Sequence, residues 1–229
     1  MQANLFFDFD STVCRLESLD QALFDALKNH PGKSQLEAQI NGITDSAMSG
    51  EIDLCESILA RLELIPLTKS QIDVTAKNLA SKLTLGIDKL IQELLTDGHN
   101  VHLISGGFDD FIAPSSAQLG LPSTHFHANQ FVFEGEQVVG INTANSLTRS
   151  DGKAEVIALV ANPDYPIIMI GDGYNDLKVY LQDACDHFIG FGGNVRRANI
   201  ERQSPLYANS VAALRTLLDT LLKPQPSLT

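Results

Sequence analysis

The 229-residue chain has no tryptophan, three methionines and three cysteines. Cys14, Cys55 and Cys185 form neither an even set nor a Cys-x-x-Cys pair, which argues against a disulfide framework or a zinc knuckle; all three read as free thiols. No apolar run approaches the ~18 residues of a membrane-spanning helix. The start, Met1-Gln2-Ala3-Asn4-Leu5, has neither a basic segment nor space for an apolar signal core, so a cytoplasmic location is expected. Basic residues are scarce too: 16 Lys+Arg against 28 Asp+Glu leave a net charge of −12. Such a field repels polyanions, and neither nucleic acid nor a membrane is expected as a partner. Charged residues make up 19% and hydrophobic ones 44%, enough apolar surface for a packed core and against disorder as the main state. At ~150 residues per domain, the length suits one large or two small domains, in a monomer or homodimer.

What is present alternates in kind along the chain. Leu5-Phe6-Phe7 is a short aromatic run ending in polar Asp8-Phe9-Asp10-Ser11-Thr12, as expected of a buried first strand. From about Leu16 to Lys82 the spacing is helical, with Leu19, Leu23, Phe24 and Leu27 in one segment and Leu54, Ile58 and Leu62 in another. Thr68 and Gln71 form a capping-box pattern ahead of the stripe Ile72, Ala76, Leu79 and Leu83. No strand-like run interrupts this stretch, which reads as a helical insertion.

After Gly86, helix and strand take turns: helix Ile87 to Thr96, strand Val101 to Ile104, helix Asp109 to Leu119, and a hairpin around Glu134-Gly135-Glu136. Then follow helix Lys153 to Val160, strand Ile167 to Ile170, helix Asn175 to Leu181, strand Phe188-Ile189, and an amphipathic helix through Leu214, Leu217, Leu218 and Leu221. Only the Pro224-Gln225-Pro226-Ser227 tail reads as disordered. This order predicts an α/β fold, a doubly wound Rossmann-like parallel sheet with ligands at the carboxyl ends of its strands. The expected division is a core of residues 1–14 and 84–229 and a helical cap of residues 15–83 inserted after the first strand.

The segments after the strands carry the chemistry. They are Asp8-Phe9-Asp10-Ser11-Thr12, Ser105-Gly106-Gly107-Phe108, Gly171-Asp172-Gly173-Tyr174-Asn175-Asp176 and Gly190-Phe191-Gly192-Gly193-Asn194. Gathered on one sheet edge, they bring carboxylates from two strands to a hydroxyl, free backbone N–H groups and a nearby lysine. Clustered carboxylates repel, and a hard divalent cation neutralises them; Mg²⁺ suits a site with few protein oxygens and a phosphate, whereas zinc lacks its usual ligands. The glycines allow close backbone approach to a phosphate, and the helix starting near Phe108 would aim its N–H groups at an anion. The glycines of Gly190 to Asn194 read as a tight turn without a catalytic task. His99 with His102, and His125 with His127, are two histidine pairs without a third ligand, read as satisfied or surface side chains.

In these motifs the sequence resembles the haloacid dehalogenase-like phosphohydrolases, and within them the branch that acts on O-phosphoserine. The resemblance runs through Asp8 to Val13, Met48-Ser49-Gly50 with Arg61, Leu103 to Phe108, Gly152-Lys153, Ile168 to Gly173 and Phe188 to Val195, in order and over almost the whole chain. It implies a nucleophilic Asp8 that forms an aspartyl phosphate, and Asp10 as the acid and then the base. It implies Mg²⁺ held by the Asp8 carboxylate, the Asp10 carbonyl and Asp172. Ser105, Gly106 and Lys153 would handle the phosphoryl group, with Asn175 and Asp176 supporting that shell by hydrogen bonding. Glu17 would pair with the substrate ammonium, Arg61 with its carboxylate in a two-pronged contact, and Met48 would line the cap pocket. Leu54 stands where phenylalanine is usual, and Glu17 lacks a second adjacent acid. The expected reaction is hydrolysis of O-phosphoserine, the last step of serine synthesis. Action on another small phosphate ester, or transfer to an acceptor alcohol, stays open. So does a phospho-accepting signalling receiver, which shares the sheet, acids, Mg²⁺ and lysine but needs neither a cap nor an acid/base such as Asp10.

Overall fold

The computed structural model describes residues 2–223; the tail Pro224-Gln225-Pro226-Ser227 lies outside the described residues. Strand β1 (Asn4–Phe7) sends Leu5 and Phe7 into one buried cluster and Phe6 into another, so it needs cover on both faces and a central place in the sheet. A π-helical turn over Phe9–Val13 leads to four helices, α1 (Ser18–Ala26), α2 (Lys33–Ser49), α3 (Leu54–Leu64) and α4 (Lys69–Ala80). The expected capping box opens α4: Gln71 N donates to Thr68 Oγ1 at 3.3 Å and Thr68 N to Gln71 Oε1 at 2.9 Å.

From α5 (Ile87–Thr96) onward, strands and helices alternate: β2 (Asn100–Phe108), α6 (Asp109–Gln118), β3 (Phe126–Asn129), the hairpin β4 (Phe131–Glu134) and β5 (Gln137–Ile141), and α7 (Gly152–Val160). Then come β6 (Ile167–Gly171), α8 (Tyr174–Leu181), β7 (His187–Phe191), α9 (Ala198–Gln203), β8 (Leu206–Ala208) and α10 (Val211–Leu221). Six strands form one parallel sheet in the order β3-β2-β1-β6-β7-β8, and the hairpin stands apart. β1 therefore lies where the order reverses, the switch point at which open α/β sheets bind ligands.

The chain leaves the sheet region and returns to it side by side. Cys14 bridges Leu83, Arg15 N donates to Lys82 O at 2.9 Å, and Thr84 N donates to Val13 O at 2.8 Å. The four helices between have no separate core: Leu23, Ile40, Ile58 and Ile72 join Leu5, Phe7 and Leu103 in one buried cluster. No described helix is long and apolar enough to cross a membrane. All three cysteines are free, Cys14 and Cys185 being buried.

Three features differ from the sequence reading. Edge strands β3 and β8 were not expected among the sheet strands; they are only four and three residues long and mix polar with apolar side chains. Ser105-Gly106-Gly107, expected as a loop, is the last stretch of β2, with its register to β3 shifting between Ile104 and Phe108. The histidines also regroup: His102 stacks on His125 at 4.4 Å and on Phe6 at 5.0 Å, and its Nδ1 lies 3.1 Å from His127 Nε2.

Burial, with His125 and His127 nearby, pushes His102 down from 6.5 to about 3. The unfolded chain thus takes up a proton near 6.5 that the folded chain refuses until about 3, so stability falls as pH drops through that window. In urea unfolding, the wild-type advantage over His102→Asn is expected to shrink as pH is lowered from about 7 to about 4. A difference that stays constant would contradict a neutral, buried His102.

Candidate active site

Asp8 continues β1 by one residue, its N–H donating to Ile170 O on the neighbouring strand at 2.8 Å. The turn that follows closes with Cys14 N donating to Phe9 O at 2.8 Å and holds Ser11 at φ +53°, a left-handed conformation disfavoured for a residue with a side chain. Asn194 offsets that strain. Its Nδ2 donates to Ser11 O at 2.9 Å and to Thr84 Oγ1 at 2.7 Å, and Thr84 Oγ1 donates to Thr12 O at 2.7 Å. The turn presents Asp10 to the start of α1, where Ser18 donates from N at 3.0 Å and from Oγ at 2.9 Å. Gly107 packs closely beside it: a Cβ there would lie 3.0 Å from Asp10 Oδ2 and 3.2 Å from Ser105 Oγ, so either side chain would have to shift by a few tenths of an ångström.

Three carboxylates meet at the ends of β1 and β6. Asp8, Asp172 and Asp176 are buried, and each offers an oxygen within 4.8 Å of the others. Lys153, at the start of α7, lies between two of them, its Nζ 2.5 Å from both Asp8 Oδ1 and Asp176 Oδ1. The second Asp176 oxygen accepts from Gly173 N at 3.0 Å. Gly171 leaves the space for this, since a Cβ there would come 2.2 Å from Asp176 Cγ. The donor set is all carboxylate oxygen, which suits a hard divalent cation and not one that prefers nitrogen or sulfur. Asp176, expected only as a supporting hydrogen-bond partner, thus belongs to the oxygen cluster itself. The Asp10 side chain stands outside it.

Burial opposes ionisation across this cluster. It pushes Asp8 well above the usual carboxylate range, Lys153 pulling back while Asp176 and Asp172 add to the rise. Burial also raises Asp10 to about 7, against the pull of its Ser18 hydrogen bonds, and Asp172 to about 6 against the pull of Arg197. Lys153 moves upward, because the attraction of Asp176 and Asp8 outweighs its own desolvation.

A pocket beside this cluster is lined by Asp8, Asp10, Glu17, Met48, Arg61, Ser105, Gly106, Lys153, Asn175 and Asp176. Of the residues that the family resemblance assigns a role at the site, Asp172 alone is not part of this lining. Glu17 is raised by burial and by its acidic neighbours. Its Oε1 accepts from Ser11 Oγ at 2.7 Å and from Arg197 Nη2 at 3.2 Å. Arg197 was missed by sequence reasoning. It also donates from Nε to Asp172 Oδ2 at 3.0 Å and reaches Asp45 on α2 at 3.6 Å, so one guanidinium spans three acids. Arg61 differs from expectation as well: its Nη1 and Nε already have protein partners, so a two-pronged contact through them is not free.

Residues 5–180 match the family model of the haloacid dehalogenase-like hydrolases. The chain belongs to that family. This hydrolase acts on phosphoric monoesters. It is 36% identical over 214 residues to a phosphoserine phosphatase of Drosophila melanogaster, covering 91% of this chain and 75% of the relative. It is 34% identical over 215 residues to the phosphoserine phosphatase of Homo sapiens, covering 91% and 89%. Among solved structures, a phosphoserine phosphohydrolase-like protein from Francisella tularensis superposes with a TM-score of 0.87 at 28% identity, covering 95% of this chain and 100% of that one. A substrate-bound phosphoserine phosphatase complex shares the fold, with a TM-score of 0.78 at 23% identity, covering 96% and 98%.

The hydrolase keeps two buried carboxylates on one lysine, which gives that lysine a structural load. Lys153→Met is expected to lower the unfolding free energy by about 3–5 kcal/mol, because Asp8 and Asp176 lose their counter-charge. Urea denaturation measures it. A loss below about 1 kcal/mol, the value of a surface ion pair, would contradict the buried arrangement.

Proposed function

We propose that this hydrolase converts O-phospho-L-serine to L-serine and phosphate through an aspartyl phosphate on Asp8, as a cytoplasmic enzyme of serine synthesis. Helices α1 to α4, within residues 15–83, serve as its cap. One observation carries the reading: a single pocket is lined by Asp8, Asp10, Ser105 and Lys153 together with Glu17 and Arg61. Those are groups for a phosphate ester and for the two charges of an amino acid. The phosphoserine phosphatases among its relatives support the same substrate.

In the first step, an Asp8 oxygen attacks phosphorus, the bond from phosphorus to the seryl oxygen breaks, and that oxygen takes a proton from Asp10. Asp10 suits this task because burial raises it to about 7, so it still carries a proton near neutral pH. Ser18 fixes the carboxyl through both of its oxygens. In the second step, water attacks phosphorus and gives its proton to Asp10; the bond to Asp8 breaks, and phosphate leaves. Lys153 orients Asp8 and offers charge to the phosphoryl oxygens. Ser105 Oγ accepts from Gly107 N at 2.9 Å, which leaves its own proton to donate to the phosphoryl group. Gly106 and Asn175 line the same wall.

Glu17 Oε2 makes no hydrogen bond among the described residues and is free for the substrate ammonium, while Met48 lines the cap side. Mg²⁺ would be held by the Asp8 and Asp172 carboxylates with the Asp10 carbonyl, beside Asp176, and supplies neutralisation of the phosphoryl charge when bound.

The test is phosphate release from a panel of phosphorylated amino acids, sugars and cofactors, with Mg²⁺ or EDTA, using wild type and Asp8→Asn. Phosphoserine is expected to give the highest kcat/KM, with turnover abolished by EDTA and lowered at least about 10³-fold in the variant. Brisk turnover of another ester with none of phosphoserine would overturn the substrate; full activity in EDTA would overturn the cation.

A further inference from the structure

Arg61 meets the pocket with most of its donors already engaged. Its Nη1 donates to Asp20 Oδ1 at 2.7 Å and to Thr44 Oγ1 at 3.1 Å, and its Nε to the Ser57 carbonyl one turn back at 3.2 Å. The Thr44 hydroxyl in turn donates to Asp20 Oδ2 at 2.7 Å, closing a ring of three residues from α1, α2 and α3. All three are buried, with Asp20 3%, Thr44 5% and Arg61 6% exposed. Arg61 and Thr44 line the pocket whereas Asp20 is not part of the lining, and Nη2 has no hydrogen bond among the described residues.

We propose that Asp20 and Thr44 are positioning residues for recognition of the substrate carboxylate: they fix Arg61 so that Nη2 alone faces the pocket. This rests on the phosphoserine reading above and adds the residues that set its specificity. An arginine side chain loses considerable rotamer freedom when it is ordered, and a buried guanidinium without a counter-charge is strongly disfavoured. Asp20 supplies the charge and one fixed direction, Thr44 a second, and the Ser57 carbonyl a third. The guanidinium is thereby ordered before substrate arrives, and the ordering cost does not fall on binding. Arg61 acts far along the substrate from phosphorus, so the ring governs which ester is held and not how its phosphorus reacts.

The discriminating pair of substrates is O-phosphoserine and O-phosphoethanolamine, which share the phosphate ester and the ammonium and differ in the carboxylate. In steady-state kinetics on the intact Mg²⁺-loaded protein, Asp20→Asn is expected to lower the ratio of kcat/KM for phosphoserine to that for phosphoethanolamine about tenfold or more. The change falls mainly in KM, as for an interaction made equally in ground and transition states. Thr44→Val removes the hydroxyl without leaving a buried unpaired charge, and carries the same test if Asp20→Asn fails to fold. Its ratio should fall several-fold, and Thr44→Ser should restore it. Equal losses on both substrates would reduce the ring to a packing device and overturn the proposal. So would a ratio that rises, which would make Asp20 a damper of the charge on Arg61. Wild type that turns over both esters equally well would instead contradict the phosphoserine reading, and carboxylate positioning with it.

Discussion

Three carboxylates buried together at the ends of two neighbouring strands are the constraint around which the rest is arranged. Moving one such charge out of water costs several kcal/mol, and three of like sign repel one another as well. The fold meets this with two cations drawn from distant parts of the chain: Lys153 between Asp8 and Asp176, and Arg197 on Asp172. The surrounding turns then have little freedom. Ser11 is held in a left-handed conformation by Asn194, Gly171 is small because Asp176 needs the space, and Gly107 packs closely against Asp10 and Ser105. A site so rich in buried charge is a ready receptor for a group that itself brings charge, which a phosphate ester and a divalent cation both do.

A second polar ring is set into the helices that follow β1. Arg61 is tied by Asp20 and Thr44, and Glu17 by Ser11 and Arg197, each keeping one polar atom without a hydrogen bond among the described residues. Arg61 on α3 and Glu17 at the start of α1 belong to helices that share their buried cluster with the sheet, so these side chains and the carboxylate cluster are held by one continuous packing unit. Arg197 joins the two systems, touching the carboxylate cluster through Asp172 and the helical side through Glu17 and Asp45.

Much of this was legible in the residues, and what was not has physical reasons. Asp8 and Asp172 each follow directly on a run of buried apolar residues, so their place at a sheet edge could be read from the strands alone. The parallel alternation was legible because β1, β6 and β7 are apolar enough to need cover on both faces. Edge strands β3 and β8 need no such cover, and four- and three-residue pieces of mixed polarity leave no period to detect. Arg197 gave no signal because its partners Asp172 and Glu17 lie 25 and 180 residues away and only the folded sheet brings them near. Asp20 was hidden differently: in a helical stretch a charge normally faces water, and nothing local says that this one is 3% exposed and paired with an arginine two helices later. Asp176 carries more contacts than a helix-start aspartate announces, since it serves here as cap, lysine partner and neighbour of the Asp8 and Asp172 carboxylates at once.

The central claim is that Asp8 becomes covalently phosphorylated during turnover. Rapid acid quench of the protein with phosphoserine and Mg²⁺, followed by peptide mass spectrometry, measures it directly. The account predicts a phosphoryl group on the peptide containing Asp8, on that aspartate and absent in Asp8→Asn. An adduct on any other residue, or active turnover with no adduct at any quench time, would contradict it.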